Sequence, residues 1–163
     1  MIISGHRSLP LLVREEEDYV LTEQAVSPKK LALVIASGTL DKLYCALIMS
    51  TTAVSINWEA HLYFTFWGLM LLRKGEMDRA SIDATFKGLE DTLKKRIAEM
   101  KYPTPYEMLR QAKATGRLFI YACTPTMGMF NIKKDDLIPE VDVLAGVPQF
   151  LDIAEHADVT LFI

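Results

Sequence analysis

Lys30-Leu-Ala-Leu-Val-Ile-Ala-Ser-Gly-Thr-Leu-Asp-Lys42 decides the fold. Leu31-Ala-Leu-Val-Ile-Ala36 is a continuous apolar run, the pattern of a parallel strand covered on both faces. Ser37-Gly38-Thr39 makes a turn. Over residues 40–56 the apolar side chains of Leu43, Leu47, Ile48 and Val54 return near helical spacing. The same alternation continues down the chain. His61-Leu-Tyr-Phe-Thr-Phe66 is a second strand, rich in aromatics. Trp67-Gly68 ends it, and a short helix opens over residues 69–73. Residues 91–100 read as a helix with charges on one side and Leu93, Ile97 and Met100 on the other. Pro103 and Pro105 interrupt it, and residues 106–114 form the next helix, ended at Gly116. Leu118-Phe-Ile-Tyr-Ala122 is a third strand, followed by a short helix or turn over residues 124–130. Val141-Asp-Val-Leu144 is a fourth strand. Residues 147–156 are a helix with Pro148 near its start, and Val159-Thr-Leu-Phe-Ile163 is a fifth strand. Strands alternating with helices predict a doubly wound α/β sheet.

Two stretches stand outside that rhythm. Residues 1–28 combine a short apolar piece at Leu9-Pro-Leu-Leu-Val13 with the acidic run Glu15-Glu-Glu-Asp18. They read as an arm or extra element, packing on the core or on a neighbouring subunit, ahead of an α/β domain over residues 29–163. Residues 75–106 are longer than one crossover needs and read as a helical insertion over the mouth of the sheet.

Composition narrows the function. The 163 residues suit one domain, and the 50% hydrophobic content suffices for a sizeable core. The net charge of −3 and the lack of a basic tract disfavour nucleic-acid binding. Two cysteines, Cys45 and Cys123, make no disulfide framework and lack zinc-site spacing, so a reducing, cytoplasmic compartment is expected. Met1-Ile-Ile-Ser-Gly-His-Arg7 lacks the apolar core of a signal peptide. The longest apolar stretch, residues 62–72, is short of the about 20 residues that a membrane span needs. No motif calls for a metal or a cofactor.

The chemistry gathers at the strand ends, where ligands bind in open α/β sheets. Three turns are expected to meet there: Ser37-Gly38-Thr39 with Asp41 and Lys42, Trp67-Gly68, and the turn that carries Cys123. Thr124 reads as a helix N-cap with Pro125 in the first turn, so Cys123 lies just ahead of a helix N-terminus, which favours its thiolate. Cys123 is the candidate catalytic residue. Gly38, Thr39, Asp41, Lys42, Trp67, Gly68, Thr124 and Met127 are the candidate substrate-binding set. Each has a plainer reading. Cys123 can be a small buried hydrophobe, and Thr39 can be a simple N-cap. Asp41 and Lys42 can be first-turn surface charges, and Trp67 a core or interface aromatic. Met108, Met127 and Met129 read as core filler, and Cys45, inside the first helix, as core packing. His61 and His156 read as structural.

In order along the chain, the first motif, Phe64-Thr-Phe-Trp-Gly68, Tyr121-Ala-Cys-Thr-Pro-Thr-Met-Gly128 and Ala145-Gly-Val-Pro148 resemble the DsrE/DsrF-like family over residues 29–163. The likeness is to its branch often labelled peroxiredoxin-like, although no Pro-x-x-x-Thr-x-x-Cys pattern precedes Cys123. The resemblance implies a flavodoxin-like five-stranded parallel sheet with helices on both faces, in a homo-oligomer. It also implies sulfur relay: a cysteine after the third strand, here Cys123, accepts sulfane sulfur as a persulfide or thiosulfonate. It then passes the sulfur to a TusA-like or rhodanese-like protein. Gly38, Asp41 and Lys42 match the family's first loop. Many related carriers have a second cysteine shortly after the first; Thr124-Pro-Thr-Met-Gly-Met-Phe130 has none. Three functions are therefore weighed: a sulfur carrier; a non-catalytic oligomeric scaffold or small-ligand-binding module with an inert Cys123; and a nucleotide- or flavin-binding flavodoxin relative, against which stands the lack of a recognisable phosphate loop.

Overall fold

The computed structural model describes residues 27–163, so the expected arm over residues 1–28 falls almost wholly outside the described residues. The order of elements is β1 (Lys30–Ile35), α1 (Leu40–Ser55), β2 (Glu59–Phe64), α2 (Phe66–Met70), α3 (Glu90–Glu99), α4 (Pro105–Ala114), β3 (Leu118–Cys123), α5 (Thr124–Met129), β4 (Val143–Ala145), α6 (Val147–Glu155) and β5 (Val159–Phe162). All five strands pair in parallel, in the order β4-β3-β2-β1-β5. The fold is the expected five-stranded α/β sheet of flavodoxin-like type.

The topology follows from the alternation of side chains along each strand. Leu31, Leu33 and Ile35 of β1, Ala60, Leu62 and Phe64 of β2, and Leu118, Ile120 and Ala122 of β3 share one core with α1 and α4. Ala32, Tyr63, Tyr121, Cys123 and Ala145 point to the other face, where Phe150 of α6 packs on them. The chain thus steps from β1 to β4 across one face. It then crosses by α6 to the other and returns β5 to the side of β1, consistent with right-handed crossovers.

Local chemistry sets the boundaries. Pro105 opens α4 behind a complete capping box between Thr104 and Glu107, which is why the Pro-containing stretch starts a helix rather than merely ending one. β2 lies two residues earlier than expected, and Trp67-Gly68 belongs to α2, not to the end of a strand. The reason is Phe66, whose φ of +43° turns the chain out of the sheet immediately after Thr65. Two further expectations are corrected. Cys45 is exposed on α1 rather than packed in the core, and Met129 is exposed whereas Met108 and Met127 are buried. In the 75–106 insertion, Met77, Ala80 and Ile82 are buried. Ser81 C=O accepts the Leu40 N–H at the start of α1, so this part does sit over the carboxyl end of β1. α3 stays exposed along nearly its whole length.

Candidate functional site

β3 continues through Cys123, one residue further than expected, and α5 begins at Thr124. Cys123 itself, not Thr124, occupies the N-cap position, with φ −67° and ψ 111°. An N-cap side chain points back at the amides of the first turn. The cysteine sulfur therefore faces Thr126, three residues on, whose hydroxyl donates to Cys123 Sγ at 3.2 Å.

That hydroxyl is held from behind. Thr126 Oγ1 accepts the Phe66 N–H at 3.2 Å and lies 3.1 Å from Thr65 Oγ1. With its own proton given to sulfur, it receives the Phe66 N–H. The left-handed backbone at Phe66 is what aims that N–H, a local strain at the site rather than in the scaffold. The register pairs Phe64 with Ala122, which sets Thr65 beside Cys123 and Tyr63 beside Tyr121. The Tyr63 hydroxyl lies 3.4 Å from the Ala145 carbonyl and also reaches the sulfur. Phe150 stacks on Tyr63 with ring centroids 4.7 Å apart and closes the underside.

Burial alone pushes the Cys123 thiol up, since only 3% of the residue is exposed. Hydrogen bonds from the side chains of Thr126, Thr65 and Tyr63 and from the Thr126 backbone outweigh that penalty, and the thiol lies below its ordinary value. Burial and the contact with Cys123 push the Tyr63 phenol upward, so it stays a proton donor through the whole neutral range. The site is a sulfur in a cage of neutral hydroxyl donors.

The remaining candidates fall into four groups. Gly38 and Gly68 do come together near Trp67, but as packing devices. A Cβ on Gly68 meets the Ile35 carbonyl oxygen at 2.2 Å, and one on Gly38 meets the Trp67 carbonyl oxygen at 2.8 Å. The Gly68 N–H donates to the Ala36 carbonyl at 3.0 Å, so the two glycines lock the β1 and β2 loops together beside the site. Trp67 is 62% exposed and its ring lies 5.4 Å from Phe130, making an aromatic rim with Phe66. Thr124 is exposed next to the cysteine. Thr39, Asp41 and Lys42 lie at the start of α1: Thr39 Oγ1 is 3.1 Å from Ser37 Oγ, and Asp41 and Lys42 are exposed. None of the three hydrogen-bonds the sulfur or its donors. Met127 packs into the opposite core.

Thr126, Thr65 and Tyr63 were not in the sequence-derived set. Thr126 had a readable signal, a hydroxyl three residues after a strand-end cysteine. Thr65 and Tyr63 depend on the β2–β3 register. Among the described residues no cluster of histidine, cysteine and carboxylate side chains could hold a metal, and no helix is long and apolar enough to cross a membrane.

A parallel α/β sheet with a single hydroxyl-caged thiol at the carboxyl end of its middle strands defines a flavodoxin-like thiol protein. The chain belongs to the DsrE/DsrF/DrsH-like family, whose model matches residues 27–87 and 84–162. It is 27% identical to the "Sulfur carrier protein DsrE2" of Allochromatium vinosum over 83% of this chain and 98% of that protein. It is also 27% identical to the "Uncharacterized protein YrkE" of Bacillus subtilis over 88% of this chain and 100% of that protein. Two solved structures share the fold. The protein MTH1491 from Methanobacterium thermoautotrophicum has a TM-score of 0.54 at 14% identity, covering 83% of this chain and 100% of its own. The ychN protein from E. coli has a TM-score of 0.55 at 13% identity, covering 83% and 99%.

Proposed function

We propose that the protein is a cytoplasmic, homo-oligomeric sulfur carrier in which Cys123 holds the sulfur. The observation that supports this most is the convergence of Thr126, Thr65 and Tyr63 on one sulfur whose thiol is thereby held below its ordinary value. A relative named as a sulfur carrier agrees with it. In the first step the Cys123 thiolate attacks the outer sulfur of a donor R–S–SH. A new S–S bond forms at Sγ, the donor's S–S bond breaks, and R–S⁻ leaves with the electron pair. No external oxidant or reductant is consumed. With a polythionate donor the thiolate attacks one of the two inner sulfurs, the S–S bond between them breaks, thiosulfate leaves with the electron pair, and Cys123 carries the sulfane sulfur as a thiosulfonate. In the second step the thiol of a TusA-like or rhodanese-like partner attacks the outer sulfur, and Cys123 leaves as a thiolate. A lowered thiol pKa serves both directions, because it raises the thiolate fraction for attack and improves the leaving group for release. Trp67, Gly68, Thr124 and Gly38 frame the mouth. Thr39, Asp41 and Lys42 contribute through the first loop, and Met127 by holding α5 against the core.

The second reading, a scaffold or ligand-binding module with an inert Cys123, draws on the burial of that residue. Thiol titration with a small alkylating reagent, read separately on the Cys45 and Cys123 peptides, separates the two. The carrier reading expects Cys123 in the folded protein to react near neutral pH at least as fast as in the unfolded chain. A Cys123 that reacts far more slowly when folded supports the scaffold.

A further inference from the structure

β5 is open at its outer edge. It pairs with β1 and stands last in the sheet. Ile163, next in line, donates its N–H to the Val34 carbonyl and accepts the Ala36 N–H, both at 2.8 Å. Backbone groups alternate in direction along a strand, so those of Thr160 and Phe162 face away from β1. They have no backbone partner among the described residues. The side chains are exposed as well: Leu161 by 38% on the face of Leu33, and Phe162 by 75% on the face of Val34. Folded proteins blunt such an edge with a lysine, a proline or a bulge. Val159-Thr-Leu-Phe-Ile163 has neither charge nor proline.

The path of the chain selects the occupant. Residues 1–26 lead into β1, the neighbour of β5. The Lys30 N–H donates to Asp158 Oδ2 at 2.8 Å, and the Lys30 carbonyl accepts the Asp158 N–H at 3.0 Å, so the chain enters β1 at the foot of β5. The strand position outside β5 lies two spacings from β1, about 10 Å. Residues 23–28 reach up to about 20 Å when extended, enough to pass beneath β5 and turn back into β1. Just ahead of them stands Tyr19-Val-Leu-Thr22, in which Tyr19, Val20 and Thr22 favour strands. It is apolar on both faces, as β5 is, and neither glycine nor proline occurs over residues 11–27.

We propose that residues 19–22 add as a sixth strand on the outer edge of β5, antiparallel to it and within the same chain. A connection this short leaves only the antiparallel direction, since a parallel neighbour needs a crossover of about a dozen residues or more. The tether holds the segment at high local concentration beside the edge. The direction carries the acidic residues 15–18 to the carboxyl end of the sheet, the end that holds Cys123.

The test is amide hydrogen exchange of the full chain, read residue by residue at two protein concentrations. The Thr160 and Phe162 amides are expected to exchange at least about tenfold more slowly than in an unstructured peptide, equally at both concentrations. Val20→Pro with Leu21→Pro removes two consecutive donors, so it breaks the added ladder in either register. It is expected to speed both amides by about tenfold or more. The Leu33 amide, central in the sheet, and the alkylation of Cys123 then stay unchanged and report an intact fold. Thr160 and Phe162 amides that exchange freely in the native chain overturn the proposal, as does protection that the proline pair leaves in place. Protection that falls on dilution assigns the edge to a second copy of the chain and overturns it as well.

Discussion

Replacing Thr126 with valine removes the hydroxyl that donates to Cys123 Sγ at 3.2 Å and keeps the shape of the side chain. A hydrogen bond to a charged partner contributes about 1.5–3 kcal/mol. At 1.36 kcal/mol per unit, its loss raises the thiol pKa by about 1–2 units. The thiolate fraction near neutral pH then falls by roughly ten- to a hundredfold. Intrinsic nucleophilicity rises with pKa at a Brønsted slope of about 0.4–0.5, so the observed rate of sulfur uptake falls by only about three- to tenfold. The same substitution strips the Phe66 N–H of its acceptor and costs about 1–2 kcal/mol of stability. Thr126→Ser restores the hydroxyl and is expected to recover most of the thiol pKa. The assay is the pH dependence of alkylation, read by mass on the Cys123 peptide so that exposed Cys45 does not interfere. A Cys123 pKa that does not move in a folded Thr126→Val protein refutes the reasoning, because the cage would then not set the thiolate.

Tyr63→Phe is expected to raise the Cys123 thiol pKa by less than Thr126→Val does, since the two threonines remain; the same alkylation profile reads it. Gly68→Ala drives a methyl group into the Ile35 carbonyl and is expected to destabilise the fold by about 3 kcal/mol, visible as a lowered denaturation midpoint. Stability depends on pH through Cys123 itself. Its folded pKa is depressed, so the stabilisation is fully present above the unfolded value of about 8.5 and is lost as pH falls through the folded value. Denaturant titrations of the native chain and of Cys123→Ser should therefore show a difference that grows as pH rises from the lowered folded value to the unfolded value of about 8.5. A difference that shrinks over that range contradicts the lowered pKa.

Much of the sheet was legible because its strands are apolar on both faces. Leu31-Ala-Leu-Val-Ile-Ala36 has no polar alternation, and burial of Leu33 and Ile35 on one side and Ala32 on the other bears that out. The α4 start at Pro105 was misread only by a residue, since a proline in the first turn can be taken for a breaker. The end of β2 was not legible: Phe66 in a left-handed conformation is a tertiary outcome, fixed by its hydrogen bond to Thr126, and an aromatic run carries no mark of it. Cys123 itself could be placed at a strand end, but its hydroxyl donors could not. Thr65 and Tyr63 reach the sulfur only through the β2–β3 register, which pairs residues about 58 positions apart. Cys45 shows the converse error, since the general burial of cysteine does not say which face of a helix is wet.

The central claim is that Cys123 carries sulfur. It is tested most directly by mass spectrometry of the intact protein and of its Cys123 peptide after incubation with an organic persulfide and removal of the excess. The account predicts a gain of one sulfur atom on Cys123, absent in Cys123→Ser and lost again when an acceptor thiol protein is added. A folded protein whose Cys123 stays unmodified across several sulfane-sulfur donors, or which gains sulfur only on Cys45, contradicts it.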